Sequence, residues 1–291
     1  MAQRTTFWHG VRATAGLLLL PSLGGADPAR ASDPLGAAPG YTERALTPNP
    51  AAPAVTRRIW SPGLGDGFVP QGLTFAENAL FLGAYRSTEP SQGRGSCRVF
   101  RIDPATGAVT GSLDLPPPCG HAGGLARGGP GRIWVADTRH LLEIEIDRPA
   151  HAGIGRAIRT VELSGDVRGS FAASTPGALW VGRYSKDGAP RLWRVDATAS
   201  LPLPLEAQGA AFDAAGMLWI TRSGSRLGEL LKADPRTGAI IARHAMPAGI
   251  EDISFSPDGG LWAVSEAGSR RWLAWPTFYP LIFRLDPARL Q

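Results

Sequence analysis

The sequence predicts an all-β protein with a β-propeller fold, and two observations support this. A four-residue apolar segment occurs five times, starting at Leu80, Ile133, Leu179, Leu218 and Leu261. Successive starts are 53, 46, 39 and 43 residues apart, close to the roughly 40–50 residues of a four-stranded blade. The 37 glycines and 26 prolines also suit many short strands joined by turns. We therefore predict five four-stranded blades in residues 55–291, or six if one unit is too degenerate to recognise.

Each apolar segment is predicted to be the second strand, b, of its blade. A first strand, a, precedes it and contains small residues, as in Gly72-Leu73-Thr74-Phe75, because innermost strands crowd around the axis. A third strand, c, follows and ends at an aspartate such as Asp103 or Asp234. The aspartate can cap the turn that leads to the outermost strand, d.

The last unit has no strand d, because the chain stops at Gln291 soon after strand c. A spare strand is predicted at the other end of the domain, over Val55–Trp60. Pairing it beside residues 282–285 would close the ring and remove an exposed sheet edge.

The start of the chain indicates export. Residues 1–31 are predicted as a signal peptide, because Arg4 and Arg12 precede an apolar run at 13–23 that is too short to span a bilayer. Residues 32–54 are predicted as a linker rich in Pro and Ala. We expect a secreted or periplasmic monomer with no transmembrane span in the mature chain. Removing residues 1–31 lowers the net charge from +5 to +3, too little to favour a nucleic-acid partner.

The two cysteines are predicted to form a disulfide. Cys97 lies late in the b–c connection of the first blade, and Cys119 lies just before the second strand a. Both belong to the same face of the propeller, and an exported protein oxidises such a pair. Closing a loop of about 20 residues stabilises by roughly 3 kcal/mol.

Function is predicted at the face where the chain reaches each strand a and where b–c connections emerge. Two b–c connections are long: the first residue of strand b and the aspartate that ends strand c are 23 and 25 residues apart in these units, against 14, 17 and 16 in the others. Ring closure makes the two blades neighbours. Long loops on a rigid scaffold often bind ligands. The later one, over residues 270–279, is basic and aromatic; its rings could equally cover the ring seam.

We predict that polar residues from separate blades meet at this face. The predicted catalytic residues are His121, Glu251 and Asp252, and the predicted ligand-binding residues are Gln71, Arg86, Arg183, Gln208 and Arg222. A histidine can move a proton near neutral pH, and arginines bind carboxylates or phosphates. The alternative is structural: His121 bonds backbone groups, and the arginines pair with nearby acids such as Glu266.

The last blade carries a recognisable pattern, Asp252-Ile253-Ser254-Phe255-Ser256-Pro257-Asp258-Gly259-Gly260-Leu261-Trp262-Ala263-Val264. It resembles the propeller superfamily that contains gluconolactonase, regucalcin and streptogramin lyase, and the likeness covers most of residues 69–286. The resemblance implies the fold. It also implies either a metal held by Glu, Asn and Asp side chains or a pair of histidines with a glutamate.

This chain departs from both patterns of the superfamily. Gln71 stands at the first-blade position, and the domain's asparagine, Asn78, lies in a turn. His121 is one good histidine on the face, and His140 is a weaker candidate. The cofactor is therefore unknown, and a divalent metal would have an incomplete ligand set.

The sequence predicts an exported propeller that binds a small, anionic molecule in its axial funnel, with hydrolase or lyase chemistry as one option. The alternative is a propeller of the cell envelope that binds a ligand or a protein without catalysis. Whether the chain is an enzyme stays open at this level.

Overall fold

The computed structural model describes residues 1–3, 5–6, 33–146 and 153–291. The predicted signal peptide, residues 1–31, lies almost wholly outside these residues and stays a prediction. The unit Ala31–Gln291 is compact, and its described strands form five four-stranded antiparallel sheets whose inner strands contact one another in a ring. This confirms the predicted all-β propeller of five blades.

Each of the first four blades uses four strands that are consecutive in the chain. Blade 1 contains β2 (Phe68–Ala76), β3 (Ala79–Arg86), β4 (Cys97–Ile102) and β5 (Val109–Asp114). Blade 2 contains β6 (Gly124–Arg127), β7 (Arg132–Asp137), β8 (His140–Ile146) and β9 (Gly155–Glu162). Blade 3 contains β10 (Phe171–Thr175), β11 (Ala178–Gly182), β12 (Arg191–Arg194) and β13 (Ser200–Pro202). Blade 4 contains β14 (Ala207–Phe212), β15 (Leu218–Ser223), β16 (Gly228–Ala233) and β17 (Ile240–Ala245).

The fifth blade joins the two ends of the propeller. It contains β18 (Ile250–Phe255), β19 (Leu261–Ser265) and β20 (Leu281–Leu285), and its outer strand is β1 (Val55–Trp60). Strand β1 runs antiparallel to β20, with Ile59 opposite Ile282 and Trp60 opposite Leu281. The predicted closure by the N-terminal strand is therefore confirmed.

The repeated apolar segment holds neighbouring blades together. Successive residues of a strand point to opposite faces of its sheet, so Leu261 packs in the core between blades 4 and 5 while Trp262 packs in the core between blades 5 and 1. Leu218 and Trp219 divide in the same way between the two sides of blade 4. The pair thus joins each blade to both neighbours, and each large side chain buries apolar area worth about 1.5–3 kcal/mol.

The described part of the predicted linker, residues 33–54, is hydrogen-bonded to the fifth blade. The Tyr41 hydroxyl donates to the Gly268 carbonyl at 2.6 Å, and the Arg44 guanidinium donates to the carbonyls of Leu273 and Pro276 at 2.5 and 2.8 Å. The segment therefore lies along the long b–c connection, which begins with a 3-10 turn at Arg270–Trp272. Further 3-10 turns lie at Ala52–Ala54 and Pro287–Arg289.

The part of the chain that the structure describes contains no helix with the length and apolar character needed to cross a membrane.

Candidate functional site

Four polar side chains enter the axis from three equivalent irregularities in the inner strands. The pairing register shifts by one residue between Pro70 and Leu73 in β2, between Ala207 and Gly209 in β14, and between Ile250 and Ile253 in β18. These β-bulges contain, respectively, Gln71, Gln208 and the pair Glu251–Asp252. A bulge redirects side chains that regular alternation would place on a sheet face, which is why these polar groups meet at one end of the axis.

Hydrogen bonds link polar residues from blades 1, 2, 4 and 5. The His121 Nε2 lies 2.8 Å from Gln71 Oε1, and Gln71 Nε2 donates to Glu266 Oε2 at 2.7 Å. The indole Nε1 of Trp272 donates to the same oxygen at 2.7 Å. Gln208 Nε2 donates to Glu251 Oε1 at 3.3 Å. The structure thus brings together His121, Gln71, Gln208 and Glu251 of the predicted site.

The centre of this cluster is a pair of buried carboxyl groups, Glu251 and Glu266, within hydrogen-bonding reach of each other. They are 1% and 6% exposed. Burial raises the pKa of Glu266 to about 7, against the opposing effect of the bonds from Trp272 and Gln71. Burial and the neighbouring Glu266 raise the pKa of Glu251 as well. Like charges this close cannot both ionise readily, so the pair holds a proton near neutral pH.

His121 is fixed by a loop with two anchors. Asp137 accepts backbone N–H bonds from Gly120, His121 and Ala122, and Cys119 is disulfide-bonded to Cys97 with their Cα atoms 5.8 Å apart. The predicted disulfide is therefore confirmed.

The imidazole of His121 is neutral. Although part of its surface is accessible, protein surrounds the ring densely, and this burial, with the charge of Arg94, lowers the pKa of His121 to about 3. With Nε2–H donating to Gln71, Nδ1 is an acceptor that is buried without a partner among the described residues. The predicted role of His121 as proton carrier stays a prediction, and its low pKa makes it a weak base.

Asp252 lies at the axis but away from the hydrogen-bond chain. Its Oδ2 accepts from the backbone N–H groups of Leu73 and Leu125, both at 2.9 Å, and Oδ1 accepts from Ile253 at 3.0 Å. The N–H of Ala210 is a fourth donor. Burial raises the pKa of Asp252, while these donors oppose that rise because an N–H can only donate. Asp252 therefore ties blades 1, 2, 4 and 5 together.

The three predicted arginines, Arg86, Arg183 and Arg222, make no hydrogen bond or ion pair to the cluster in the part of the chain that the structure describes. Arg222 makes ion pairs with Glu229 at 2.6 Å and Glu206 at 3.5 Å. Arg86 is exposed and donates to the carbonyl of Asp66 at 3.1 Å. Arg183 is exposed just beyond β11. The structural alternative considered for the arginines thus describes Arg222, although its partners are not the acids that the sequence suggested.

Two of the three acids at the axis accept hydrogen bonds on oxygens that a divalent cation would need. Asp252 accepts from backbone N–H groups, and Glu266 Oε2 accepts from the amide of Gln71 and the indole of Trp272. The ligand-type atoms of Cys97, Cys119 and Asp137 lie within 4.8 Å of one another. The two sulfur atoms are bonded to each other, however, and a disulfide sulfur is not a thiolate ligand.

The site includes residues that the sequence prediction left out of its central set. Glu266 and Trp272 complete the carboxyl pair, and the Tyr85 ring lies 5.8 Å from that of His121. The guanidinium groups of Arg94 and Arg271 lie over Tyr85 at 5.7 and 5.9 Å. A signal for Glu266 was available, because it directly follows strand b of the blade that carries Glu251.

Comparison with known proteins shows the fold. No protein-family model and no curated protein matches the sequence. Among solved structures, a glutaminyl cyclase from Myxococcus xanthus superposes with a TM-score of 0.57 and 15% identity, over 80% of this chain and 94% of that one. Regucalcin from Agrobacterium tumefaciens gives 0.45 and 19%, over 76% and 93%. An aldose sugar dehydrogenase from Streptomyces coelicolor, in its PQQ-bound form, gives 0.46 and 15%, over 75% and 94%. At 15% identity, the likeness to the M. xanthus structure shows the fold alone.

Proposed function

We propose that this chain is an exported propeller enzyme that binds a small anionic molecule at the face where the b–c connections emerge and uses Glu251 and Glu266 as an acid–base pair. The observation that carries the proposal is the difference between the surroundings of these two buried carboxyls. Glu266 accepts from Gln71 and Trp272, and these two donors favour its carboxylate form. The proton that the pair shares therefore lies on Glu251. Two carboxyls whose environments separate their protonation states are typical of an acid and a base.

Such a pair suits acyl transfer at a carbonyl. Glu266 would remove a proton from the nucleophile, either a water or an amine of the substrate, and Glu251 would give its proton to the leaving oxygen or nitrogen. After one turnover Glu266 carries a proton and Glu251 is ionised. Proton exchange with water then returns both carboxyls to their starting states. Ester, lactone and amide substrates all fit this scheme, and the name of the M. xanthus protein adds an N-terminal glutaminyl group as one amide to test.

The anionic part of the substrate would be held by Arg94. This side chain is exposed, stacks over Tyr85, and lies close enough to affect the pKa values of His121 and Glu251 through its charge. The structure gives Arg94 no ion pair with another described residue, in contrast to Arg222. Arginine recognises carboxylates through paired N–H donors. The confirmed disulfide supports export, because such bonds persist in oxidising compartments.

The test is turnover of three probes by the purified mature chain: p-nitrophenyl acetate, δ-valerolactone and glutaminyl-glycine. Glu251→Gln and Glu266→Gln remove one carboxyl each, and Glu145→Gln is a matched control, since Glu145 is partly exposed and pairs with Arg156 on blade 2. We expect each site variant to lose at least ~100-fold in kcat on any probe that turns over. Activity equal to that of the control variant, or no turnover of any probe by the folded wild type, would contradict the proposal.

A second candidate is a binding propeller without catalysis, and one observation favours it. Gln71 bonds both His121 and Glu266, so these polar side chains of the cluster hold one another in place, and the neutral His121 is a poor base. Such a network can act as a preformed recognition surface. Calorimetric binding of glutaminyl-glycine without ammonia release would favour this candidate over the enzyme.

A further inference from the structure

A cavity lies at the opposite end of the axis from the cluster of Glu251 and Glu266. Its volume is about 490 Å³, within the usual range for small-molecule sites. The walls come from the ends of the inner strands and from the a–b turns, and all five blades contribute. It contains none of the side chains of the proposed acid–base site. Asp252, bonded to the backbones of the inner strands, lies at the axis between the two.

The cavity exists because its wall residues are small. Alanine and glycine predominate on the inner strands and turns, including Ala126, Ala172, Ala211 and Gly177. Bulky residues at these positions would fill the axis, as side chains do in closed propeller centres. The resulting wall combines methyl groups with exposed backbone and hydroxyl groups.

Two charged residues line this cavity, and one of them is already neutralised. Asp213 accepts from the Trp219 indole at 2.9 Å and pairs with Lys232 at 3.5 Å. Arg127 faces no carboxylate within the lining; its Nη2 donates to the carbonyls of Phe75 and Phe255 at 3.1 and 3.5 Å. These bonds use Nη2 and leave Nε and Nη1 without a partner among the described residues. Nε and Nη1 lie on different edges of the guanidinium, so each can donate a single charge-assisted hydrogen bond to a carboxylate oxygen.

The hydroxyl groups of the wall give a second requirement for a ligand. Thr74 is 2% exposed and lines the cavity, and its hydroxyl has no hydrogen-bond partner among the described residues. Ser174, on the third blade, also has a hydroxyl free of described partners. Both hydroxyls line the cavity without a protein partner among the described residues, so they are available to a ligand or water that carries donors and acceptors of its own.

From these features we propose that the axial cavity on this second face binds a small hydroxylated carboxylate of monosaccharide size. Arg127 binds the carboxylate, the hydroxyls of Thr74 and Ser174 bond to ligand hydroxyls, and the alanine methyls pack against its C–H groups. This site is independent of the acid–base pair, so each can fail without the other.

Isothermal titration calorimetry on the mature chain tests this site with three probes. Glucuronate carries the carboxylate and the hydroxyls, glucose lacks the charge, and inorganic phosphate lacks the ring. We expect glucuronate to bind at least ~10-fold more tightly than either of the others, because neither satisfies both parts of the wall. Binding of glucuronate no tighter than that of glucose or phosphate would overturn the proposal.

Three variants locate the binding in the cavity. Arg127→Gln removes the charge, Ser174→Trp fills the mouth from a half-buried position, and Arg132→Gln is the control, because Arg132 lies on the same blade but pairs with Glu143 outside the cavity. We expect the first two to weaken glucuronate binding at least ~10-fold and the control to match the wild type. Circular dichroism checks that each variant is folded. Unchanged affinity in both cavity variants would place the ligand elsewhere and overturn the proposal.

Discussion

Replacing Asp252 with asparagine tests whether this carboxylate is a structural centre of the propeller. The substitution keeps the size of the side chain but exchanges one oxygen for an NH₂ group. The native oxygens accept from the backbone N–H groups of Leu73, Leu125 and Ile253, with Ala210 as a further donor. Whichever way the amide is oriented, at least one of these buried donors faces another donor, and the others lose their charged acceptor.

The expected cost follows from the number of affected bonds. A buried polar group left without its partner costs about 1–3 kcal/mol. Counting two lost or weakened bonds gives about 2–6 kcal/mol, a large part of a typical folding free energy of about 5–15 kcal/mol. For a chain of this size, ~1 kcal/mol moves Tm by about 2–4 °C. We therefore expect Asp252→Asn to lower Tm by about 5–20 °C.

Thermal and urea unfolding followed by tryptophan fluorescence and circular dichroism at pH 7 measure this effect. Asp114→Asn is the control, because Asp114 is 66% exposed and pairs with Arg98 at 2.6 Å on the edge of blade 1. A surface pair of this kind contributes under ~1 kcal/mol. If Asp252→Asn unfolds within the range of the control, the structural account is wrong. A folded Asp252→Asn without turnover would instead support the catalytic role predicted from the sequence.

Three further predictions concern the carboxyl pair, the disulfide and the ring closure. The folded-state pKa of Glu266 is raised from 4.5 to about 7, so wild-type stability should fall as the pH rises from 4.5 to 7. Chemical denaturation should show a fall of about 3 kcal/mol relative to Glu266→Gln. Parallel pH profiles of the two proteins would contradict this. The lowered pKa of His121 makes stability rise as the pH increases from about 3 to 6.5. This effect is present in both the wild type and the variant. Cys97→Ser/Cys119→Ser should lose about 2–4 kcal/mol, and reductant should lower the wild-type Tm to match; a wild type insensitive to reductant would refute the bond. Deleting residues 1–60 should unfold or aggregate the domain by exposing β20. Deleting residues 1–50 removes contacts such as that of Tyr41 and should only lower Tm. Size-exclusion profiles that agree for the two truncations would rule out closure by β1.

The repeating pattern made the fold predictable from the sequence. Leu261-Trp262 and its equivalents mark strand b in every blade because each pair must fill two interblade cores at once. The missing outer strand of the last unit likewise predicted the closure by Val55–Trp60. Patterns set by burial are local in sequence, so they can be recognised from the sequence alone.

The details of the site were less predictable, because they depend on register and on distant partners. The bulges that place Gln71, Gln208 and Glu251 at the axis shift the strand pairing by a single residue. Strand propensity does not predict a shift of one residue. Arg222 satisfies the charge pattern of a binding residue, yet its partner Glu229 comes from the next strand of its own blade. Composition alone also gave no sign that Arg44 bonds a loop more than 200 residues away.

The closure of the ring by β1 and β20 has a consequence for biogenesis. The outer strand of the last blade is synthesised before every other strand, but its partner, Leu281–Leu285, is synthesised last among the strands. Until the partner arrives, Val55–Trp60 and the inner blades present unpaired edges to other chains. Pairing across so long a loop is also intrinsically slow. The completed ring is therefore a late product of folding, and the newly made chain depends on protection from neighbouring copies until β20 is available.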